Sequence, residues 1–304
     1  MGNHKKEYPR VNKTEKILLI SEAHFGKSIR ELVYPNYNIS FIPIDNWRSM
    51  DFLSKMLLLQ KHNIIHHFGG TFSKTLINGC KALRKKLIIH FIGTDVYHII
   101  KSNRNEINSI RKLYSNAWKL AAVGENLVEE LNSVGIDKVE YVPFAAGITE
   151  PSDYNKQPEN SALVYLPQGK EDFYGAKEIK GIIQNFPAVR FYILANEGYD
   201  NLKVDNVKFS GWIDNVGDYL NKVKIYLRYT VHDGVPNMVL EALLYGRQVL
   251  YNHSFPYCRN FTLKDFEKAL TEWQFNKKGR EYVAINYSPQ KIAENFLKLY
   301  SDPK

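Results

Sequence analysis

The chain has 304 residues, of which 44% are hydrophobic and 13% aromatic, and its formal net charge is +9. This composition indicates a globular protein of one large or two average domains and excludes a disordered chain. The two cysteines are far apart, no signal-peptide core is present, and no apolar run approaches the roughly 18 residues that span a bilayer, so we expect a cytoplasmic protein without disulfides.

Short apolar runs alternate with helix-length segments through the first half of the chain. The runs are apolar on both faces, which is typical of strands buried between two layers of helices. In chain order they are KILLIS (16–21), ISFIPI (39–44), NIIHHF (63–68), LIIHFI (87–92), KLAAVG (119–124) and VEYVP (139–143). Helical patterns lie between them, for example at 50–60 and 73–86. This alternation predicts a parallel, doubly wound sheet.

A second series of strands follows a polar segment. Residues 148–161 contain two prolines and no periodicity, which indicates a linker. The runs beyond it are ALVYLP (162–167), AVRFYILA (188–195), NVKFSG (206–211), KIYLR (224–228) and QVLYN (248–252). We therefore predict an α/β protein with two Rossmann-like domains, residues 1–147 and 162–287, which face each other across a cleft. Residues 288–304 form a last helix that is a candidate to cross back to the first domain.

The stretch HDGVPNMVLEALLYGRQVLYN (232–252) follows a predicted strand and carries two acids, Asp233 and Glu241. Pro236 suits the first turn of a helix, and Gly246 suits its end. Ligands of open α/β sheets bind beyond the carboxyl ends of the strands, where a helix N-terminus offers N–H groups to a phosphate. A phosphate flanked by two carboxylates for hydroxyl groups describes a sugar-nucleotide site. The structural alternative is a helix cap at Asp233 and a surface residue at Glu241.

The segment from NVKFSG to QVLY resembles the C-terminal domain of retaining GT-B glycosyltransferases of family 4. That family carries an acid, seven residues and a glutamate, and Asp233 and Glu241 have this spacing, with Asp in place of the more usual Glu. In the first half, IIHFIGTDVYHI and AVGENLVEELNSVGIDKVEYVPFAAG are similar to segments of the family's first domain. The resemblance covers most of residues 15–252.

The resemblance implies a hexosyltransferase-type enzyme that moves a sugar from a nucleotide-diphosphate donor to a glycan or lipid-linked glycan. It also implies retention of configuration and no metal or other cofactor. Glu241 is expected at the ribose hydroxyls and Asp233 at the donor sugar, both as catalytic-site residues. The other implied donor-site residues are Gly211, Trp212 and Ile213 near the base, and Gly234, Val235, Pro236, Asn237 and Met238 at the diphosphate or sugar.

The basic residues that bind the diphosphate in this family are missing from their usual position in this sequence. An Arg/Lys pair usually follows the first strand of the second domain, with the Lys before a glycine, but here Tyr174 precedes Gly175. Lys170 is the best substitute and Lys177 the second, whereas Arg228 can add charge at the same site. The alternative for Lys170 is a solvated lysine.

The first domain carries weaker signals. The candidates for the acceptor side are Gly26, in SEAHFGKS (21–28), and Gly69, Gly70 and Asp95. Asp95 has a structural role as its alternative. His90 is a candidate for the family's cleft histidine near the donor sugar. The numerous histidines lie on separate strands with uninformative spacing, so we expect no metal site.

The first half is the basic one. Residues 1–150 hold 21 Lys/Arg and 14 Asp/Glu, a net charge of +7, and their densest run is KALRKK, Lys81 to Lys86. An anionic membrane surface at the inner face is one expected partner, and a solvated helix end is the alternative. Nucleic acid is not expected, because no pattern of basic and aromatic residues is interleaved.

Two alternatives to a transferase remain. A nucleotide-sugar epimerase is disfavoured because the acid–seven–glutamate spacing belongs to the retaining transferases. A catalytically weak or inactive protein that binds a sugar nucleotide as a partner subunit is favoured by the missing Arg/Lys pair and opposed by Asp233 and Glu241.

Overall fold

The structure is a computed structural model that describes residues 15–33, 38–71, 73–146, 148, 151, 154 and 157–301. The strands in this part of the chain are β1 (Lys16–Ser21), β2 (Asn38–Pro43), β3 (Ile64–Phe68), β4 (Lys86–Phe91), β5 (Lys119–Ala122), β6 (Val139–Tyr141), β7 (Glu159–Tyr165), β8 (Arg190–Leu194), β9 (Val207–Phe209), β10 (Val223–Arg228), β11 (Gln248–Tyr251) and β12 (Arg259–Asn260).

Helices connect these strands. They are α1 (Ala23–Val33), α2 (Ile44–Ser49), α3 (Phe52–Gln60), α4 (Lys74–Ala82), α5 (Thr94–Lys101), α6 (Arg104–Tyr114), α7 (Glu125–Ser133), α8 (Ala176–Asn185), α9 (Gly217–Lys222), α10 (Asn237–Leu244), α11 (Leu263–Thr271), α12 (Lys277–Asn286) and α13 (Pro289–Tyr300). None of these helices is both long enough and apolar enough to cross a bilayer.

The chain divides into two compact units. Unit 1 comprises Met1–Gly147 and Pro289–Lys304, and unit 2 comprises Ile148–Ser288. Each described unit contains a six-stranded sheet with all neighbouring strands parallel, in the order β2-β1-β3-β4-β5-β6 in unit 1 and β12-β11-β10-β7-β8-β9 in unit 2. The predicted α/β class with parallel, doubly wound sheets is therefore confirmed. In the predicted linker, residues 149–150, 152–153 and 155–156 lie outside the described ranges, and its last three residues belong to β7.

The central strands are buried on both faces, as their apolar sequences predict. Ile17 to Ile20 of β1 and Ile225 to Leu227 of β10 have 0–1% of their surface exposed. Several helices begin at a polar side chain that accepts a backbone N–H of the first turn. Asp51 accepts from Ser54 at the start of α3, and the Asn103 side chain forms a capping box with Glu106 at the start of α6.

The C-terminal helix α13 completes the core of unit 1. Phe296 and Tyr300 are fully buried, and the Tyr300 hydroxyl lies 2.8 Å from Nδ1 of His66 on β3. The Lys119 ammonium group donates to the carbonyl groups of Leu299 and Ser301, at 3.0 and 2.9 Å. A cation at the carboxyl end of a helix stabilises its dipole, so Lys119 holds the end of α13 on the sheet.

Two expectations from the sequence are wrong. The segment 21–28, expected as a glycine-containing loop, is mostly helix α1, because Gly26, Ile29 and Val33 recur with helical spacing and are buried. Gly26 packs directly against the Phe41 ring of β2, leaving no room for a Cβ atom. Gly26 is therefore a packing glycine inside a helix and not part of an acceptor loop.

Candidate functional site

The carboxyl ends of four strands of unit 2 lie side by side at one edge of the sheet. Arg228 at the end of β10 is in register with Tyr251 of β11, and Leu227 is in register with Val164 of β7. On the other side of β7, Tyr165 is in register with Leu194 at the end of β8. The loops that follow β7, β8, β10 and β11 therefore start at a common edge, where ligands of open α/β sheets bind.

The loop after β10 is fixed by the loop after β11. Asn252 bonds both backbone groups of Thr230: its Oδ1 accepts from the Thr230 N–H at 3.0 Å, and its Nδ2 donates to the carbonyl at 2.8 Å. The Thr230 carbonyl also lies 2.9 Å from Nε2 of His253, and the Thr230 hydroxyl donates to the carbonyl of His232. Neither Asn252 nor His253 was predicted, because their role depends on which loops become neighbours.

Helix α10 begins without a side-chain cap. Pro236 precedes it with φ −77° and ψ 119°, and the carbonyl of Pro236 accepts from the N–H of Val239 at 3.0 Å. Within the described residues, the backbone N–H groups of Gly234, Val235 and Met238 donate to no acceptor. Three N–H donors at the positive end of a helix dipole can bind an anion such as phosphate.

Glu241 lies one turn further along α10 among buried neighbours. Val239, Leu240, Ala242 and Leu243 are fully buried, and burial raises the pKa of the Glu241 carboxyl from 4.5 to about 7. The described residues supply no hydrogen bond or ion pair to this carboxylate. A half-buried carboxylate without a partner is costly, and two hydroxyl groups of a ligand would satisfy it.

Asp233 is paired with Arg228. Nε and Nη2 of Arg228 donate to Oδ2 of Asp233 at 2.9 and 2.7 Å, and both side chains are largely buried. The guanidinium group also lies 5.5 Å from the ring centre of Tyr165 and 4.9 Å from that of Tyr174. Asp233 therefore does not cap α10, and Tyr174, which stands where the family's lysine is expected, packs on the arginine.

The ion pair determines the charge at this edge. Burial lowers the pKa of Arg228, but the Asp233 carboxylate and the neighbouring tyrosines outweigh it and raise the pKa, so the guanidinium group stays charged. Asp233 offsets that charge within 3 Å. The Arg228 guanidinium group can therefore attract a bound anion, but part of its charge is already balanced by the Asp233 carboxylate.

The loop between β7 and α8 approaches the same edge. Gly175 precedes α8 with φ +67°, a backbone conformation that favours glycine. It also packs directly against the Tyr229 ring, which leaves no room for a Cβ atom. Lys170 and Lys177 are exposed on either side of it. Neither ammonium group is bonded to a described residue, so the protein alone does not fix the position of either group at a ligand.

The loop after β9 is connected to the loop after β8. Gly211 adopts φ +59°, donates its N–H to the Asn196 carbonyl at 3.0 Å and accepts from the Ala195 N–H at 2.7 Å. Asn196 is buried and donates through Nδ2 to Glu171 of the β7–α8 loop at 3.0 Å. Beyond Gly211, Trp212 has 79% of its surface exposed, and Ile213 is half-buried. Asn196 and Glu171 are further residues of the site that the sequence did not suggest.

The acceptor-side candidates of unit 1 form a compact loop structure. Asp95 accepts backbone N–H groups from Gly93 and Val96 at 2.8 and 2.9 Å, from Ile92 and, at very short range, from Gly70. A Cβ atom on Gly70 would lie 2.7 Å from that of Asp95. The carboxylate therefore joins the loop after β3 to the start of α5, which is the structural alternative considered for Asp95. Gly69, with φ +100°, makes the preceding turn.

His90 lies in the core of unit 1 and not at its surface. It has no exposed surface, its Nε2–H donates to the Val142 carbonyl at 3.0 Å, and its ring is parallel to that of His66 at 5.5 Å. Burial lowers the pKa of His90 to about 3 and that of His67 to about 4, so both rings are neutral. A fully buried side chain cannot contact a substrate, and the expectation of His90 as a catalytic residue is corrected to a core residue.

The structure thus gathers most of the donor-site candidates at one edge of unit 2. Arg228, Asp233, Gly234 to Met238 and Glu241 belong to a single strand–loop–helix segment, and the Gly211 loop and Lys170 loop are linked through Asn196 and Glu171. Within the described ranges, no group of three or more His, Cys, Asp or Glu side chains could hold a metal ion.

Solved structures of similar architecture match nearly the whole chain at low sequence identity. The chain matches HepE from Anabaena, solved with UDP and glucose, with a TM-score of 0.68 at 11% identity over 95% of this chain and 100% of that one. It matches a sucrose-phosphate synthase from Thermosynechococcus elongatus with a TM-score of 0.69 at 12% identity, over 94% of this chain and 98% of that one. A glycosyltransferase from Rickettsia africae gives 0.67 at 12% identity, over 95% and 98%.

These similarities define the class of fold. No protein-family model and no curated sequence matches the chain, so the likeness is one of structure. Two parallel six-stranded α/β units in these orders, matching glycosyltransferases over nearly the whole chain, show that the chain has the GT-B fold.

Proposed function

We propose that the protein is a glycosyltransferase that takes its sugar from a nucleotide-diphosphate donor bound at the carboxyl edge of the unit 2 sheet. The observation that carries the proposal is the start of α10. Among the residues that the structure describes, three N–H groups there have no acceptor, and the half-buried carboxylate of Glu241 that follows them has no hydrogen-bond or ion-pair partner. An anion and a pair of hydroxyl groups complete both sets of bonds at once. A nucleoside diphosphate provides both, and similar structures have been solved with UDP and UDP-glucose.

The proposed roles follow the order of these groups. The N–H groups of Gly234, Val235 and Met238, with Asn237 beside them, hold the diphosphate or sugar, and Glu241 accepts from the ribose hydroxyls. The Gly211 loop, with exposed Trp212, lies on the side of the base. Arg228 and an exposed lysine, Lys170, supply positive charge to the diphosphate, and Asp233 faces the donor sugar while it is held by Arg228.

Retention of configuration and the acceptor are part of the same proposal. The acid–seven–glutamate spacing of Asp233 and Glu241 supports a retaining reaction, which NMR of the product's anomeric proton would test. An inverted anomeric centre would remove that part of the proposal. We propose a hydroxyl of a glycan or lipid-linked glycan as the acceptor, with the protein acting at an anionic membrane surface, and no metal in the reaction.

A partner subunit that binds a sugar nucleotide without transferring it is a second candidate. It is favoured by one observation: the buried arginine of the site is already paired with Asp233, and a tyrosine replaces the family's lysine. Incubation with a panel of nucleotide sugars separates the two. Release of nucleoside diphosphate, abolished in an Asp233→Asn variant that still binds the nucleotide, supports the transferase. Binding by calorimetry without release in any donor supports the partner subunit.

Absence of binding contradicts both candidates. Thermal shift against the same panel gives this control, because a ligand at a hundredfold excess over its Kd stabilises the native state by about 2.7 kcal/mol. A Glu241→Gln variant should lose much of the shift. A shift of equal size in this variant and in the wild type would place the nucleotide elsewhere.

A further inference from the structure

Helix α3 of unit 1 exposes an apolar row to solvent. Phe52, Leu53 and Leu57 are 62%, 70% and 59% exposed, although most large apolar side chains of the described chain are buried. Leu53 and Leu57 are four residues apart and therefore lie on one face of the helix. An adjoining face packs on α4: Leu59 is fully buried, and Met56 Cε lies 2.9 Å from where a Cβ atom on Gly79 would be.

The surroundings of this row are basic. No Asp or Glu occurs between Asp51 and Asp95, whereas seven Lys or Arg do. The Lys85 ammonium group donates to the Gln60 carbonyl at 2.9 Å, so the end of α4 is joined to the end of α3 and their solvent-facing sides form one surface. The cations of these two helices and their flanking turns are Lys55, Lys61, Lys74, Lys81, Arg84 and Lys85.

The nearby acids are already engaged. Asp51 accepts from the N–H and hydroxyl of Ser54 at the start of α3, and Asp45 lies 3.4 Å from Arg48. The run KALRKK is itself divided, because Lys86 begins β4, lies 3.4 Å from Glu15 and packs on the Trp118 ring. Within that run, only Lys81 and Arg84 are exposed cations. The run alone is therefore a weaker surface than the α3–α4 face.

We infer that this α3–α4 face docks on an anionic lipid bilayer. An exposed aromatic and two leucines flanked by cations are the composition of helices that lie in the interface of a membrane. An exposed apolar row could be covered by a second copy of the chain or by a lipid bilayer, and the charge around it distinguishes the two. A second copy of the chain would set cation against cation, whereas an anionic bilayer complements the face. Each Lys or Arg that reaches such a surface strengthens the association by roughly fivefold.

This inference deepens the proposed function, because a lipid-linked acceptor would lie in a bilayer. Only this link to the acceptor rests on the proposed function. The test of the inference measures lipid binding and not transfer, so either can fail without the other. The wild type is sedimented with vesicles of phosphatidylcholine alone and of phosphatidylcholine with phosphatidylglycerol. We expect binding to the second kind, and we expect it to weaken as salt is added, since the Debye length shortens to about 8 Å at physiological ionic strength.

Two pairs of substitutions test the two parts of the face. Leu53→Ser with Leu57→Ser should lower the partition into the anionic vesicles by about tenfold. Lys81→Glu with Arg84→Glu should lower it by at least about 25-fold, the product of two fivefold losses. The matched control is Leu263→Ser with Ile285→Ser, which removes two exposed apolar side chains from unit 2 and should leave binding unchanged. All four leucine and isoleucine positions are at least 46% exposed, so the fold should survive in both variants.

Three results would overturn the inference that the α3–α4 face binds an anionic bilayer. Sedimentation of the Leu53/Leu57 variant equal to that of the wild type would overturn the inference. So would wild-type binding to neither kind of vesicle. Wild-type dimerisation in solution that the Leu53/Leu57 variant abolishes would assign the face to a second copy of the chain instead.

Discussion

Glu241 is the residue on which the proposed donor site depends most directly. Replacement of Glu241 by Ala should weaken binding of UDP, or of whichever nucleoside diphosphate binds best, by about 1.5–3 kcal/mol, the range for a hydrogen bond to a charged group. Alanine is a good helix former, so α10 should remain intact. Calorimetry measures the loss. Unchanged affinity would show that Glu241 does not bind the ribose.

The raised pKa of Glu241 also gives stability a pH dependence. Its folded-state pKa of about 7 lies above the ordinary value of 4.5, so its contribution to stability is complete below pH 4.5 and is lost as pH rises through 7. At pH 7 the cost is about 2–3 kcal/mol. Glu241→Gln cannot titrate at this position. The free energy of unfolding of the variant should therefore increase relative to that of the wild type as pH rises from 4.5 to 8.

Denaturant titrations of both proteins across this range measure the difference. Glu267 on α11 is an exposed glutamate of the same unit, and Glu267→Gln is the matched control that should run parallel to the wild type. A constant difference between Glu241→Gln and the wild type would mean that Glu241 is not buried as described.

The ion pair of Arg228 and Asp233 is best tested by a double-mutant cycle. Asp233→Asn leaves a buried guanidinium group unpaired, and Arg228→Met leaves a carboxylate unpaired, so each should cost about 3–5 kcal/mol of unfolding free energy. The double variant should cost clearly less than the sum of the two. Additive losses would show that the two groups do not interact energetically.

A role for Asp233 in chemistry requires a separate measurement. The double variant removes the unpaired charge together with the Arg228 cation proposed for the diphosphate, so it is compared with Arg228→Met, which lacks the same cation. Turnover in the double variant far below that of Arg228→Met, at similar nucleotide affinity, would place Asp233 at the donor sugar. Turnover that recovers with stability in the double variant would make the pair structural.

In the segment from Arg228 to Glu241, the sequence predicted which residues form the site better than it predicted which side chains contact each other. The spacing of Asp233 and Glu241 and the helix start at Pro236 follow from local patterns, and α10 begins at Asn237. The pairing of Asp233 with Arg228 depends on how the loop between them turns back. The contact of Tyr174 with Arg228 joins the loop after β7 to the end of β10, which lies about fifty residues further along the chain. Local patterns carry no information of that kind.

At the scale of elements, the buried histidines of β3 and β4 give unit 1 a dependence on acid. His66, His67 and His90 all have lowered pKa values, mainly through burial, with His90 at about 3 and His67 at about 4. Their contribution is complete above the unfolded value of 6.5 and is lost as pH falls from there towards the folded values. His67 and His90 each cost about 2 kcal/mol at pH 5, because the unfolded chain binds a proton at these residues and the folded chain does not.

Replacing His90 by Phe should reduce this loss. The His90 ring packs against Phe68 and Phe296, and a phenylalanine ring can keep these contacts, although the bond to the Val142 carbonyl is lost. Unfolding free energies of the wild type and His90→Phe at pH 7 and pH 5 give the comparison. His24→Phe is the control, because His24 is exposed. Equal losses between pH 7 and 5 in the wild type and His90→Phe would contradict a buried neutral His90.

Strand prediction succeeded where runs were apolar on both faces, as in β1, which spans the predicted residues 16–21 without error. It failed for β12, because two residues, Arg259 and Asn260, pair at the sheet edge without any hydrophobic run. The α1 helix was missed because a glycine was taken as the mark of a loop, when its function is to let the helix approach Phe41. Close approach between elements is a property of tertiary packing and leaves no periodic trace.

For the whole molecule, the proposed reaction should not need a divalent cation. The sequence contains no Asp-x-Asp pair, the arrangement of oxygen ligands that would hold such an ion against a diphosphate. Donor hydrolysis or transfer should therefore persist in excess EDTA, with helix N–H groups and basic side chains serving the diphosphate. Loss of activity that magnesium or manganese restores would contradict the proposed chemistry.

The return of α13 to unit 1 has a consequence for how the protein is made. A ribosome completes all of unit 2, residues 148–288, before it adds the helix that covers β3 and β4 of unit 1. During that interval nascent unit 1 lacks Phe296 and Tyr300, which are fully buried in the finished protein, over the faces of His66 and His90. A stop codon at position 289 would thus spare every described strand of both sheets and still leave the aromatic core of unit 1 open to water, a substrate for chaperones and proteases.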